Sequence, residues 1–297
     1  MSTLAQSLQG RDYLRCADLS AAEATAVLDR ALELRAEPKQ PLLTGSTLGL
    51  YFAKHSTRTR ISFTAGMTQL GGSAMALTPE ELQISRGESL PDTARALSRY
   101  LDVLAVRTHE HAELEAWAEW ATIPVVNALT ADEHPCQALA DALTIRDRIG
   151  TLEGVRVAWV GDGSNVLTSL AELGRLLGYE VVAACPPGYE SPLLADVTLR
   201  DPREAVRSAD VVVTDTWISM GQEIERQKRL RDLEPYRLDA DLLALAAPDA
   251  FVMHCLPAHP GEEVTEDVLY GPRSAIWDEA ENRLHVQKAL LCLLLGA

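Results

Sequence analysis

Little in this 297-residue chain is basic: 27 Lys and Arg stand against 43 Asp and Glu, for a formal net charge of -16. That balance excludes general nucleic-acid binding and adhesion to anionic membranes, both of which need a positive footprint. Cysteine is also sparse. Cys16, Cys136, Cys185, Cys255 and Cys292 form an odd set with no Cys-x-x-Cys spacing, which excludes a zinc ribbon and a disulfide framework and fits a reducing cytoplasm. No apolar run approaches membrane-spanning length, and residues 289–295 suffice only for a docked helix. Residues 1–6 lack the charged-then-apolar pattern of a signal peptide, so no targeting segment is expected. Repeats and low-complexity tracts are absent as well.

What is present suits α/β domains. Hydrophobic residues make up 47% of the chain, enough to fill one large or two ordinary cores. Ser20 with Glu23 three residues on reads as a capping box opening a helix to about residue 34. A strand follows over 48–53, then a helix from Ser56 that stops at Gly71-Gly72, and a short strand over 73–77. Residues 78–89 are polar and aperiodic, which predicts a loop. Asp92 is expected to open a helix carrying Ala96, Leu97, Tyr100 and Leu101. Strand 103–106 ends at Arg107, helix 112–120 leads to strand 124–127, and Pro135 stands at the first position of an Ala/Leu-rich helix that Gly150 ends. A second series of strands is expected over 155–160, 180–184, 211–214, 250–254 and 275–277, with Trp159, Trp217 and Trp277 in the core. Strands alternating with helices imply parallel βαβ units. The predicted fold is α/β, two doubly wound parallel-sheet halves joined near residues 134–150, with ligands beyond the carboxyl ends of the strands.

Ser56-Thr57-Arg58-Thr59-Arg60 falls at a strand-to-helix junction, where free N–H groups, hydroxyls and guanidinium forks converge into an oxyanion site. Arg58, Arg60, Arg107 and His134 are the candidates for a basic pocket in an acidic surface. Gly161-Asp162-Gly163-Ser164-Asn165-Val166 has two glycines of a dinucleotide fingerprint, but Val166 replaces the third and no acid closes the next strand, which counts against a nicotinamide enzyme. The turn instead offers Asn165 to a polar ligand, or is a plain strand-helix turn. Asp215 at a strand end can hold an ammonium group or cap a helix. His254-Cys255-Leu256-Pro257-Ala258-His259 leaves open a zinc site, a cysteine nucleophile or a buried thiol. His109-Glu110-His111 reads as a solvated loop.

Taken in order, Ser56-Thr57-Arg58-Thr59-Arg60, Asp92-Thr93-Ala94-Arg95, His134-Pro135-Cys136-Gln137, Asp215-x-Trp217-x-Ser219-Met220-Gly221, His254-Cys255-Leu256-Pro257 and Glu281-Asn282-Arg283 resemble the aspartate/ornithine carbamoyltransferase family. The likeness runs nearly end to end, and Ser-Met-Gly with His-Cys-Leu-Pro resembles its ornithine-using members. It implies a carbamoyl phosphate domain over 1–148, an ornithine domain over 149–282, a C-terminal helix about 283–297 packing back on the first, and an active site in the cleft between the two domains. It implies that Ser56, Thr57, Arg58, Thr59, Gln83, Arg107, His134, Gln137, Cys255, Leu256 and Arg283 bind carbamoyl phosphate, Gln83 from a neighbouring subunit. Asn165, Asp215, Ser219 and Met220 would bind ornithine, and Arg58, Arg107, His134 and Cys255 would be catalytic. The δ-amine would attack the carbamoyl carbon directly, without metal or organic cofactor, in a homotrimer or an assembly of trimers. Ala53, His55 and Pro260 depart from the usual pattern at positions outside these sets. Putrescine or an acylated ornithine as acceptor, or a non-catalytic paralogue, are the alternatives.

Overall fold

The computed structural model describes residues 7–54, 56–194, 198–218 and 223–297. They form two compact units, one comprising the chain up to Ala140 together with Asn282–Ala297, the other Asp141–Glu281. Both boundaries fall inside long helices.

The first unit holds a four-stranded parallel sheet of β1 (Thr47–Phe52), β2 (Ser73–Leu77), β3 (Val103–Arg107) and β4 (Val125–Leu129) in the order β2-β1-β3-β4. Its helices are α1 (Ala21–Ala36), α2 (Thr57–Gln69), α3 (Leu90–Leu97), α4 (His111–Trp120) and the start of α5 (Pro135–Ile149). Buried Tyr51, Leu104, Val106, Leu114, Trp117 and Val125 fill one side, with the Tyr51 and Trp117 rings 4.9 Å apart. The near-continuous apolar strands are what a sheet covered on both faces requires.

The capping box at α1 is present: Glu23 N–H donates to Ser20 Oγ, and Ser20 N–H to Glu23 Oε2 at 2.8 Å. Arg11 adds an ion pair at 2.6 Å and Ser7 a hydrogen bond to the same carboxylate. Burial raises the Glu23 pKa, but these hydrogen bonds and Arg11 outweigh it and take the group down from 4.5 to about 2. A depressed carboxylate stabilises the fold above its unfolded pKa, and that stability is lost as pH falls from about 4.5 to about 2. Glu23→Gln is therefore expected to cost about 2 kcal/mol at pH 7, with the difference from wild type vanishing near pH 2, as read by urea unfolding across pH.

The second unit repeats the pattern with β5 (Arg156–Val160), β6 (Glu180–Ala184), β7 (Val211–Val213) and β8 (Phe251–Met253), all parallel, in the order β6-β5-β7-β8. Its helices include α6 (Asn165–Leu177), α7 (Pro202–Val206), α8 (Arg226–Leu233), α9 (Ala240–Leu243), α10 (Glu266–Leu269) and the start of α11 (Ile276–Leu295).

Several sequence expectations are corrected. Residues 275–277 do not form a strand: only Ser274 bridges to Val252, and Ile276 opens α11, whose apolar first turn mimics a strand. Trp277 is 56% exposed and stacks on Tyr270, so it is not core, whereas Trp159 and Trp217 are buried. The helix expected from Asp92 begins at Leu90, because Ser89 caps it by accepting from Asp92 N–H, and it ends at Leu97; Tyr100 lies beyond it and is exposed. The polar loop after β2 contains a 3-10 turn, Gln83–Arg86. His111 is not solvated: it starts α4, buried, with Nδ1 2.9 Å from Thr130 Oγ1.

Candidate active site

In the first unit the strand register sets the site. Phe52 pairs with Arg107 across β1 and β3, so the guanidinium leaves the sheet beside the turn that enters α2. Ser56 is the N-cap of α2, its hydroxyl accepting from Thr59 N–H. The first-turn N–H groups of a helix have no intrahelical partner and carry the positive end of its dipole. Thr59, buried, accepts from Arg107 Nη1 at 3.4 Å and from Arg283 Nη2 at 2.8 Å. With both guanidinium forks donating to its oxygen, the Thr59 hydroxyl keeps its own hydrogen available for donation. Arg283 Nη1 also donates to Gln137 Oε1 at 2.8 Å.

His134 is buried beside this pair. Burial, then Arg283 and Arg107, hold its pKa well below the usual imidazole range. It is a neutral hydrogen-bond donor at physiological pH, next to two permanent cations. Thr59, Arg107, His134, Gln137 and Arg283 thus form one group, with Ser56 at its helix cap. Thr57 and Arg58, also in the first turn of α2, are exposed, as is Gln83 at the start of its 3-10 turn.

The second unit brings its candidates to the carboxyl edge of its sheet. Asp215, just past β7, is buried; Oδ2 accepts from Ser164 Oγ at 3.1 Å, and Oδ1 from Cys255 Sγ at 3.1 Å and Thr216 N–H at 2.8 Å. Asn165 is the first residue of α6, with Ser164 as its N-cap. The second glycine of the turn serves packing, since a Cβ on Gly163 would collide with the backbone of residues 189–191. Burial pushes the Cys255 thiol well up, and Asp215 pushes it further. A protonated thiol is a donor, which removes the nucleophile reading. Leu256 has φ +61° and its N–H donates to His254 Nδ1 at 2.9 Å. Ser219 and Met220 lie outside the described residues, as does His55.

Asp215, His254 and Cys255 offer ligand atoms within 4.8 Å of one another. Those atoms are already engaged. The thiol donates to Asp215, Nδ1 of His254 accepts from Leu256, and Nε2 faces Glu263 Oε1 at 3.2 Å. His259 lies instead with Glu262 and Glu263, so the His254-Cys255-His259 zinc set does not assemble.

Sequence reasoning missed four supporting groups. Ser164 was legible as an N-cap residue. The Asp162–Arg229 ion pair was not, because Arg229 comes from α8, 67 positions away, where it also donates to Trp217 O at 2.6 Å. Asp162 is pushed up to about 6, burial outweighing Arg229. Glu263, beneath His254, carries no local signature either.

The chain matches the family model for the aspartate/ornithine carbamoyltransferase carbamoyl-P binding domain over residues 11–147, and that for the Asp/Orn binding domain over residues 153–294. The chain belongs to the aspartate/ornithine carbamoyltransferase family. Among its relatives, the ornithine carbamoyltransferase of Carboxydothermus hydrogenoformans is 49% identical, covering 98% of this chain and 99% of its own. Among solved structures, ornithine carbamoyltransferase from Pyrococcus furiosus superposes with a TM-score of 0.93 at 46% identity, covering 98% of each chain, and that from Thermus thermophilus with 0.88 at 42%, covering 95% and 97%. The carbamoyl-P model covers Thr59, Arg107, His134 and Gln137, and the Asp/Orn model covers the Asp215 group together with Arg283.

Proposed function

We propose that this enzyme moves the carbamoyl group of carbamoyl phosphate to the δ-amine of L-ornithine, giving L-citrulline and phosphate. The observation that carries the reading is the Thr59 hydroxyl held between Arg107 and Arg283 at the N-terminus of α2, beside a neutral His134. In this reading Ser56, Thr57, Arg58 and Thr59 take the phosphate, with Arg107 as a second guanidinium and Gln137 and Arg283 at the carbamoyl end. The deprotonated δ-amine attacks the carbamoyl carbon. The oxygen becomes an oxyanion held by the Thr59 hydroxyl, Arg107 and the His134 N–H; its collapse breaks the carbon–oxygen bond to phosphate, which leaves against Arg58 carrying the proton that the attacking nitrogen sheds. Because these donors are fixed before reaction, they stabilise the charge without reorganising.

In the second unit Asp215 is assigned to the α-ammonium group of ornithine and Asn165, with the backbone at Met220, to its carboxylate end. Ser219 completes that set, and Cys255 and Leu256 line the reacting end. A homotrimer, or an assembly of trimers, belongs to the same proposal, with the exposed Gln83 serving a neighbouring subunit's site; so does a cytoplasmic location. Among the described residues no helix is long and apolar enough to cross a membrane.

The test is steady-state product formation with ornithine varied at fixed carbamoyl phosphate, and putrescine as the competing acceptor. Citrulline formation with a strong preference for ornithine is expected. Equal turnover of putrescine overturns the acceptor assignment, and carbamoyl phosphate binding with no product overturns the catalytic one.

A further inference from the structure

Two carboxyl groups that the proposed mechanism does not use are buried together in the second unit. Asp141, on α5, and Glu279, on α11, are each 1% exposed, and their side chains are hydrogen-bonded to one another. Two carboxylates cannot make that bond without a proton between them. The other oxygen environment of Glu279 is equally defined: Oε2 accepts the backbone N–H of His254 at 2.8 Å. That N–H is the first after β8, where the chain leaves the sheet to present Cys255 and Leu256. The same histidine holds the Leu256 N–H through Nδ1.

We propose that Asp141 and Glu279 share one proton and that this acid pair, through the His254 N–H, positions Cys255 and Leu256 for carbamoyl transfer. The inference rests on the transfer reading above. Glu279 touches neither substrate in that reading and is a positioning residue.

The charges around the thiol are consistent with it. Asp215 past β7, Glu279 from α11 and Asp141 from α5 all push Cys255 up, after burial. Burial and Asp141, and more weakly Asp215, push Glu279 well above the ordinary carboxyl range against the pull of the His254 N–H. The His254 imidazole faces Glu263 on its far side. A pair holding one proton adds a single negative charge beside Cys255, and a pair holding none would add two.

The experiment compares Glu279→Gln and Glu279→Ala in the full chain by two readouts. One is kcat and KM for citrulline formation. The other is the pH profile of Cys255 alkylation by iodoacetamide, followed by peptide mass; Cys255 is the only cysteine that is not fully buried among the five. Glutamine keeps both hydrogen bonds, donating to Asp141 and accepting from His254, and leaves the charge unchanged. Its kcat is expected within about threefold of wild type and its alkylation profile superimposable. Alanine frees the His254 N–H, and kcat is expected to fall by about 10²-fold with KM for carbamoyl phosphate unaltered, the signature of a misplaced group.

A Glu279→Gln profile displaced to lower pH overturns the shared proton, because it means the wild-type pair carried two charges. A Glu279→Gln kcat as low as that of alanine overturns it too, and wild-type kcat in Glu279→Ala overturns the positioning role. Should the alanine variant not accumulate, Asp141→Asn takes its place, expected to retain both kcat and profile. If wild type itself makes no citrulline, it is the transfer reading that fails, and the alkylation profiles still decide the acid pair.

Discussion

Arg107→Ala is expected to lower kcat for citrulline formation on the order of 10³-fold, the upper range for loss of one oxyanion donor. The effect should fall on kcat more than on KM for carbamoyl phosphate, because charge on the carbamoyl oxygen develops only in the transition state. Folding is expected to survive, since Thr59 keeps its shorter bond from Arg283. Arg58→Gly is expected to abolish useful turnover as well, by removing the guanidinium to which the proposed mechanism assigns the departing phosphate. Steady-state kinetics beside a thermal melt separates the two losses, and near-wild-type turnover in either variant removes that arginine from the proposed machinery.

The second large effect is expected from Asp215→Asn. Its carboxylate accepts from Ser164, Cys255 and Thr216 at once, so the geometry around the amide stays close to native while the charge disappears. Loss of a charged hydrogen-bonding partner for an ammonium group is worth roughly 2–3 kcal/mol, which predicts a drop in kcat/KM for ornithine on the order of 10²-fold. Carbamoyl phosphate affinity should not move, because its assigned contacts lie elsewhere. The same substitution has a second readout: Asp215 raises the Cys255 pKa, so alkylation of Cys255 should begin at lower pH. A variant with an unchanged thiol profile and unchanged ornithine kinetics would sink the assignment.

The placement of the residues proposed for the first unit's site was largely readable, because they sit in local pattern. Ser56 to Thr59 lie in one cap and one helical turn, and Arg107 and His134 follow strands whose apolar runs are unambiguous. The same reasoning failed where one pattern serves two structures. Ala275-Ile276-Trp277 reads as a strand and is a helix entrance, and Asp92, taken as a start, is already in the first turn behind Ser89. Long-range partners were illegible in principle. Nothing near Gln137 announces that Arg283 will reach it, nothing near Asp162 announces Arg229, and the Asp141–Glu279 pair joins residues 138 positions apart whose spacing carries no period. Buried ion pairs and acid pairs are fixed by how elements pack, and packing is what a linear pattern does not encode.

The last helix binds the first unit more closely than its place in the chain suggests. Arg283 reaches Thr59 across 224 positions, and Lys288, fully buried, donates to Leu34 O at 3.2 Å, Pro38 O at 2.6 Å and Gln69 Oε1 at 2.9 Å, at the ends of α1 and α2. A cation suits those carbonyl-rich helix ends. During synthesis, however, those ends wait uncapped while the whole second unit is made. The first 140 residues emerge early yet lack the 16-residue segment Asn282–Ala297 until the second unit has been made. The Thr59–Arg283 contact consequently forms only after the second unit has been made, and a chain lacking residues 282–297 forfeits it.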